Sequence, residues 1–159
     1  MPQKLPILLL GVGNLLFRDE GIGVAAAQYI TEKIILPEGV ELLEGGTLGM
    51  RLMADLISHR KVVVMDAVLG GGRPGTLYRL TGEDMRKSLS FRDSLHQTDL
   101  PDTLMLCELA GYKPETVVIG MEPEDYQSMR IGLSPTCMAA LPDMVARALL
   151  ETGTPLQVS

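Results

Sequence analysis

The chain has no tryptophan, only two cysteines and two histidines, and little positive charge. Its 14 Lys and Arg residues face 20 Asp and Glu residues, which gives a net charge of −6 at pH 7. No basic cluster extends beyond Arg60 and Lys61, so nucleic acids and anionic membranes are poor candidate partners. No apolar run approaches the roughly 20 residues that span a bilayer.

The two cysteines, Cys107 and Cys137, form no CxxC pair. This spacing disfavours a disulfide or a cysteine metal site, and we expect buried, reduced thiols in a cytoplasmic protein. The amino-terminal MPQKLPILLL places a lysine before an apolar run but lacks the small residues of a signal-peptide cleavage site. We interpret this run as a core strand.

What the chain does have is an alternation of strand-like and helix-like segments. Its 159 residues are 46% apolar and 21% charged, which predicts one globular domain over residues 1–159. Alternating strands and helices indicate an α/β fold with three layers: an open, mostly parallel twisted sheet with helices on both faces. Apolar and β-branched runs predict strands over residues 6–10, 40–43, 61–66, 76–80 and 116–121.

Apolar residues at helical spacing predict helices over residues 21–34, from Thr47 onward, over 99–110 and from Ser134 onward. Residues 83–98 have weak periodicity and are interpreted as a loop with a possible helical turn. Pro142 would clash with the carbonyl of Met138, which predicts a kink or two abutting helices. Met105, in the third of these helices, falls at a core-facing position.

The segment Leu8–Val24 (LLLGVGNLLFRDEGIGV) runs from a buried strand through glycines into a helix. Such a turn normally binds an anion, because the helix N-terminus presents free N–H groups. Here the anion position carries two acids, Asp19 and Glu20, which would repel a phosphate and could bind a divalent cation. The GVGNLL pattern also lacks the third glycine of dinucleotide-binding turns. A nucleotide-binding protein therefore remains only as an alternative.

Two more metal-binding side chains fall at the same predicted edge of the sheet. If the strand order begins 2-1-3, the first and third strands flank the crevice where ligands bind in open α/β sheets. Asp66 ends the third strand at that rim, and His96 lies in a loop at the same edge. Two carboxylates and an imidazole suit zinc, nickel or a similar ion and leave coordination positions open.

Each of these residues also has a purely structural interpretation. Asp19 and Glu20 could complement the helix dipole, Asp66 could cap a turn, and a lone His96 could be a surface residue. The other histidine, His59, sits at the predicted end of the second helix, where positive charge suits the helix dipole, and is not placed in the site.

An ordered set of motifs along the whole chain supports the metal-site interpretation: Gly11-Val12-Gly13-Asn14, Asp19-Glu20-Gly21-Ile22-Gly23, Gly45-Gly46-Thr47, Val64-Met65-Asp66-Ala67, Ser94-Leu95-His96-Gln97, Gly120-Met121-Glu122-Pro123 and Leu133-Ser134-Pro135. With these motifs the chain resembles the hydrogenase maturation endopeptidases, which process nickel–iron hydrogenase large subunits. The resemblance implies an endopeptidase that removes the C-terminal extension of a nickel-loaded large-subunit precursor.

The resemblance further implies that Glu20, Asp66 and His96 bind nickel, and that this nickel is supplied by the precursor. Glu20, Asp66 and Asp19 are the candidate catalytic residues. Nickel could polarise the scissile carbonyl or activate water while a carboxylate accepts a proton, or nickel could only dock the substrate while a carboxylate pair hydrolyses it. We expect a cytoplasmic monomer.

Two further expectations complete the sequence-based prediction. A non-catalytic, nickel-sensing assembly factor would need the same three ligands and stays an alternative function. The glycine-rich stretch Gly70–Gly75 lacks the GK[ST] ending of a phosphate-binding loop, so we interpret it as a flexible, substrate-facing loop.

Overall fold

The sheet explains how distant acids come to one edge of the protein. The computed structural model describes residues 6–44, 55–92, 100–112 and 114–153. Its five strands lie in the order β2-β1-β3-β5-β4, with β4 antiparallel to β5 and every other pair parallel. The strands are β1 (Ile7–Gly11), β2 (Val40–Glu44), β3 (Lys61–Ala67), β4 (Leu77–Leu80) and β5 (Glu115–Met121).

Helices cover both faces of this sheet. They are α1 (Ile22–Lys33), α2 (Leu89–Arg92), α3 (Leu100–Leu109) and α4 (Pro135–Glu151), and residues 55–57 are also helical. Alternate residues of a strand point to opposite faces, and the core divides accordingly into two clusters. Leu9 and Val63 pack with α1 and α4, whereas Leu10 and Val64 pack with Leu56 and with α3. The predicted three-layer α/β fold is confirmed.

The strand order also confirms the predicted 2-1-3 start, and the five predicted strands match the observed ones to within one residue at each end. Both cysteines are buried free thiols, as expected. Residues 83–98 were interpreted as a loop with a possible helical turn, and their described part, up to residue 92, lies in two short helices, the 3-10 helix Gly82–Lys87 and α2. The predicted helix from Thr47 lies outside the described residues except for 55–57.

The helices bear on two predictions. α4 is one continuous helix through Pro142, so of the two predicted alternatives, a kink or two abutting helices, the second is wrong. Pro142 lies on the exposed face of α4, so water can bind the carbonyl of Met138 that the missing N–H leaves without a helical partner. Met105, predicted to pack in the core, is 59% exposed because the buried face of α3 is the one that carries Thr103 and Cys107.

Glycines allow α1 to approach the sheet at van der Waals distance. A Cβ on Gly23 would lie 2.0 Å from the carbonyl oxygen of Met65 and 2.2 Å from that of Val12. A Cβ on Gly11 would lie 2.3 Å from the carbonyl oxygen of Gly23. All of these neighbours are backbone atoms, which cannot move aside as a flexible side chain can. The start of α1 is therefore held directly against the carboxyl ends of β1 and β3.

Gly23→Ala is expected to destabilise the protein by about 3 kcal/mol, the upper range for overpacking a core, because the helix must move away from the sheet. Urea unfolding measures this change. Gln28→Ala provides a matched control, since Gln28 is exposed on the same helix and the change should stay within about 0.5 kcal/mol. Equal stability of the two variants would contradict the close approach.

None of the helices in the described part of the chain is both long and apolar enough to cross a membrane.

Candidate functional site

Backbone contacts bring the segment after β1 to the end of β3. The N–H of Val12 donates to the carbonyl of Met65 at 3.1 Å, and the N–H of Asn14 donates to the carbonyl of Glu20 at 3.2 Å. With Gly23 also against Met65, the 3-10 helix Arg18–Gly21 starts α1 at the edge where β3 ends in Asp66 and Ala67. Glu20 and Asp66 therefore lie at the carboxyl edge of neighbouring strands, the topological switch point of the sheet.

Asp66 is fully buried, and within the described residues the hydrogen bonds to its carboxylate fall on one oxygen. Its Oδ2 accepts hydrogen bonds from the hydroxyl of Ser88 and, at 2.8 Å, from the backbone N–H of Ser90. Its Oδ1 has no hydrogen-bond partner among the residues that the structure describes. A buried polar atom without a partner costs about 1–3 kcal/mol, so folds rarely retain one without a use for it.

The environment of Asp66 also changes its acidity. Burial raises the pKa of this carboxyl from 3.8 to about 6, and the hydrogen bonds from Ser88 and Ser90 oppose the shift without cancelling it. At neutral pH the Asp66 carboxyl group is therefore ionised, although its burial disfavours the charged form. A cation bound at Oδ1 would offset this unfavourable free energy.

Glu20 is half-buried and belongs to the turn that precedes α1. Two backbone hydrogen bonds fix the position of Glu20. Its N–H donates to the carbonyl of Phe17 at 3.1 Å, and its carbonyl accepts from the N–H of Asn14. A Cβ on Gly13 would lie only 2.0 Å from the Glu20 carbonyl oxygen, so a glycine with positive φ is required at position 13. The glycine turn predicted from sequence therefore serves to place Glu20.

Asp19, the third predicted acid, is engaged as an anchor. It is fully buried, and its Oδ1 accepts from the N–H of Ser134 at 2.7 Å. Its Oδ2 accepts from the Ser134 hydroxyl at 2.8 Å and from the N–H groups of Glu124 and Asp125 at 3.0 Å each. The carboxylate thus accepts four hydrogen bonds, three at Oδ2 and one at Oδ1. This number of bonds to a buried group favours an anchoring role over the proton-accepting role predicted from sequence.

Of the two histidines, His96 lies outside the described residues, so its place at the site stays a prediction. His59 is buried away from this edge, with Nδ1 against the carbonyl of Asp55 and Nε2 3.3 Å from Oε2 of Glu41. Its position at a helix end agrees with the structural role expected for it. Within the described ranges no group of three or more His, Cys, Asp and Glu side chains is arranged to hold a metal ion.

Sequence reasoning missed the side chains that hold the acids in place. Ser88 and Ser90 come from the segment with weak periodicity, where no pattern pointed to them. Ser134 was recognised only as a helix start, yet its hydroxyl binds Asp19 instead of capping α4. Glu122 stood in a recognised motif without a role, and it proves to be buried beside the loop that follows β3.

A groove of about 810 Å³ lies at the opposite edge of the sheet. It is bordered by Glu115 and Thr116 at the start of β5, by α3 and by the 3-10 helix Gly82–Lys87. Because the acids lie at the carboxyl ends of the strands, this groove is separate from the candidate site.

Comparison with known proteins identifies the family. A family model described as hydrogenase maturation protease matches residues 24–151. The chain is 36% identical over 152 residues to the hydrogenase 2 maturation protease of Escherichia coli K12, covering 92% of each protein. It is 35% identical over 157 residues to the hydrogenase expression/formation protein HoxM of Azotobacter vinelandii, covering 92% of this chain and 76% of that protein.

Solved structures agree with the sequence relatives. The hydrogenase maturating endopeptidase HybD from E. coli superimposes with a TM-score of 0.81 at 36% identity, covering 93% of this chain and 94% of that one. The hydrogenase 2 maturation peptidase from a Thaumarchaeota archaeon gives a TM-score of 0.71 at 29% identity, covering 93% and 98%. With this fold, these acids at the switch point and these relatives, the chain belongs to the hydrogenase maturation protease family and is an endopeptidase.

Proposed function

We propose that this endopeptidase removes the C-terminal extension of a hydrogenase large-subunit precursor that already carries nickel, and that Glu20, Asp66 and His96 contact that nickel. The observation that carries the proposal is the buried Oδ1 of Asp66, which has no hydrogen-bond partner in the described part of the chain. An ionised oxygen in that state favours a cation.

The donor set fits a transiently presented ion. Two carboxylates and one imidazole are hard-to-borderline ligands, suited to nickel or zinc, and they leave positions open for groups from the substrate. Ser88 and Ser90 hold Oδ2 of Asp66 and so orient the other oxygen, as outer hydrogen bonds commonly orient metal ligands. Nickel is then a part of the substrate that the protease recognises.

Peptide hydrolysis requires a base that takes a proton from water and an acid that returns one to the leaving amine. The water oxygen bonds to the carbonyl carbon, the C–N bond breaks, and a new carboxylate and a new amine are released. Nickel in the precursor would supply an electrophile near the scissile carbonyl. Glu20 and Asp66 are the candidate proton carriers, and Asp19 contributes by anchoring the turn that carries Glu20.

Replacing Glu20 by glutamine tests whether Glu20 acts in hydrolysis or in binding the nickel. If Glu20 acts as a proton carrier, Glu20→Gln retains precursor binding and loses cleavage. If Glu20 is required as a nickel ligand, both binding and cleavage are lost. Pull-down of the precursor and intact mass spectrometry measure the two properties separately.

The proposed setting is the cytoplasm, and the proposed active form is a monomer. The free, buried state of both cysteines suits a reducing compartment. The net charge of −6 favours a protein partner over nucleic acid.

The experiment that tests the function compares two forms of one precursor. We expect the protein to release a C-terminal peptide from the nickel-loaded large-subunit precursor and to leave the nickel-free precursor intact, as read by intact mass. Asp143→Asn is the matched control. Asp143 is exposed on α4, so this variant should cleave the precursor as the parent protein does. No mass change with a cognate precursor would overturn the proposal in favour of an assembly factor. Cleavage of both forms would keep the protease but remove nickel as its recognition feature.

A further inference from the structure

The glycine-rich loop between β3 and β4 lies at the same edge as Asp66. It begins where the N–H of Val68 donates to the carbonyl of Met121 at 2.9 Å, directly after β3. Residues 70–74 are exposed, and Gly71 and Gly75 have positive φ. Arg73 is the single charged residue between positions 67 and 78. The loop thus presents a surface nearly free of side chains beside the candidate site.

Glu122 fastens this loop with its side chain. The carboxylate oxygen Oε1 accepts hydrogen bonds from the N–H of Gly70 at 2.9 Å, the N–H of Gly72 at 3.0 Å and the hydroxyl of Tyr78 at 2.7 Å. Burial and the neighbouring Glu122 both raise the pKa of Tyr78, so the phenol keeps its proton and stays a donor. One buried carboxylate oxygen therefore joins both ends of the triple-glycine segment to the edge strand.

The backbone of Glu122 adds two more attachments. Its N–H donates to the carbonyl of Thr76 and its carbonyl accepts from the N–H of Gly75, both at 2.8 Å. Through its side chain and backbone together, Glu122 contacts the loop at positions 70, 72, 75 and 76 and β4 at Tyr78. Glu122 thus fastens four positions of the loop that the sequence suggested to be flexible.

The place of Glu122 in the sheet links this loop to Asp66. Gly120 of β5 pairs with Asp66 of β3, and Glu122 follows two residues later at 6% exposure. A Cβ on Gly120 would lie 2.0 Å from Cγ2 of Val68, so the start of the loop packs directly on β5. Burial of the Glu122 carboxylate is unfavourable by itself, and the hydrogen bonds from the loop offset it.

We propose that Glu122 is a positioning residue: it holds Gly70–Gly75 as a preformed surface on which the extended peptide of the precursor lies beside the cleavage site. Glycines let a substrate backbone approach closely, and a loop already ordered spares the substrate the entropy cost of ordering it. This inference rests on the proposed function and names the part of the protein that receives the peptide.

Glu122→Ala tests the role through the Michaelis constant. We expect KM for the nickel-loaded precursor to rise about 10-fold, while kcat changes less than about 3-fold, because binding is weakened but the acids are untouched. Glu122→Gln keeps an oxygen at the Oε1 position and should restore KM to within about 3-fold of the parent. A merely structural role would lower the folded fraction, and so kcat, without moving KM.

Hydrogen exchange gives a second measurement that does not need turnover. Amides of residues 69–76 should exchange faster in Glu122→Ala, and bound precursor should protect them in the parent protein only. If Glu122→Ala does not fold, Tyr78→Phe removes a single donor and should raise KM about 3-fold.

The outcomes separate the inference from the proposed function. If the parent cleaves the precursor and KM is unchanged in Glu122→Ala and Tyr78→Phe, the loop inference is overturned and the protease stands. If the parent does not cleave the precursor, the proposed function fails, and hydrogen exchange with bound precursor then tests the loop inference. Protection of residues 69–76 by precursor supports it, and lack of protection overturns it.

Discussion

Asp66→Asn is expected to abolish processing and, in the metal-free protein at neutral pH, to raise stability. Loss of the proposed nickel contact, worth several kcal/mol, should lower the rate of precursor cleavage by about 1,000-fold or more. The gain in stability follows because the native side chain is a fully buried, ionised carboxylate, one oxygen of which has no hydrogen-bond partner among the described residues. Asparagine keeps an oxygen for the hydrogen bonds from Ser88 and Ser90 and removes the charge.

The stabilisation by Asp66→Asn should depend on pH, because Asp66 is charged only above its pKa. The pKa of Asp66 is about 6 in the folded protein against 3.8 as the ordinary value, so the folded state holds the proton more tightly. The stabilisation that comes from this tighter proton binding by Asp66 is fully present below about pH 4 and is lost as the pH rises through 6. A shift of this size corresponds to roughly 3 kcal/mol, or about 6–12 °C in Tm for a domain of this length.

Thermal unfolding in the presence of a chelator measures this difference. The Tm of Asp66→Asn relative to the parent should increase between pH 4 and pH 7.5, whereas Asp143→Asn, at an exposed position of α4, should show no such trend. If the Tm of the parent and of Asp66→Asn changed equally with pH, ionisation of Asp66 would not destabilise the folded protein. Full cleavage activity in Asp66→Asn would remove it from the site.

Backbone topology was predictable because it depends on patterns that the sequence displays directly. The apolar run ending in Asp66 predicted a central strand with an acid at its carboxyl end, and the 2-1-3 order placed it beside the glycine turn. The glycines of that turn are required by contacts with backbone atoms, which leave no alternative residue. Fold class, strand positions and the shared edge of Glu20 and Asp66 therefore followed from periodicity and topology.

The partners of the acids were not predictable, since each comes from a distant and irregular part of the chain. Ser88 lies 22 residues after Asp66, in a segment without periodicity. Ser134 and Glu124 lie more than 100 residues after Asp19. No local pattern records such pairs, because they form only when the loops at one sheet edge are packed together. The role of His96 and the assignment of residues 1–159 to one domain stay predictions.

Asp19→Ala is expected to be the most destabilising change at this edge. The anchor joins the turn after β1 to the segment before α4, and the backbone reinforces it: the N–H of Asp19 donates to Asp125, and that of Arg18 donates to Arg130, both at 2.8 Å. Removing the carboxylate leaves the N–H and the hydroxyl of buried Ser134 without this acceptor. We expect a loss of roughly 4 kcal/mol in the free energy of unfolding.

Urea unfolding of Asp19→Ala measures the loss, and Asp143→Ala, at an exposed site on α4, should stay within about 0.5 kcal/mol of the parent.

Asp19→Asn then separates the anchor from a proton acceptor, because it retains the shape of the side chain and one oxygen. An anchor predicts a loss of stability with kcat per folded molecule reduced less than about 10-fold. A general base predicts a kcat reduced by about 100-fold or more with little change in stability. With the four hydrogen bonds of the Asp19 carboxylate directed at the 124–134 segment, the first pattern is the one this arrangement requires.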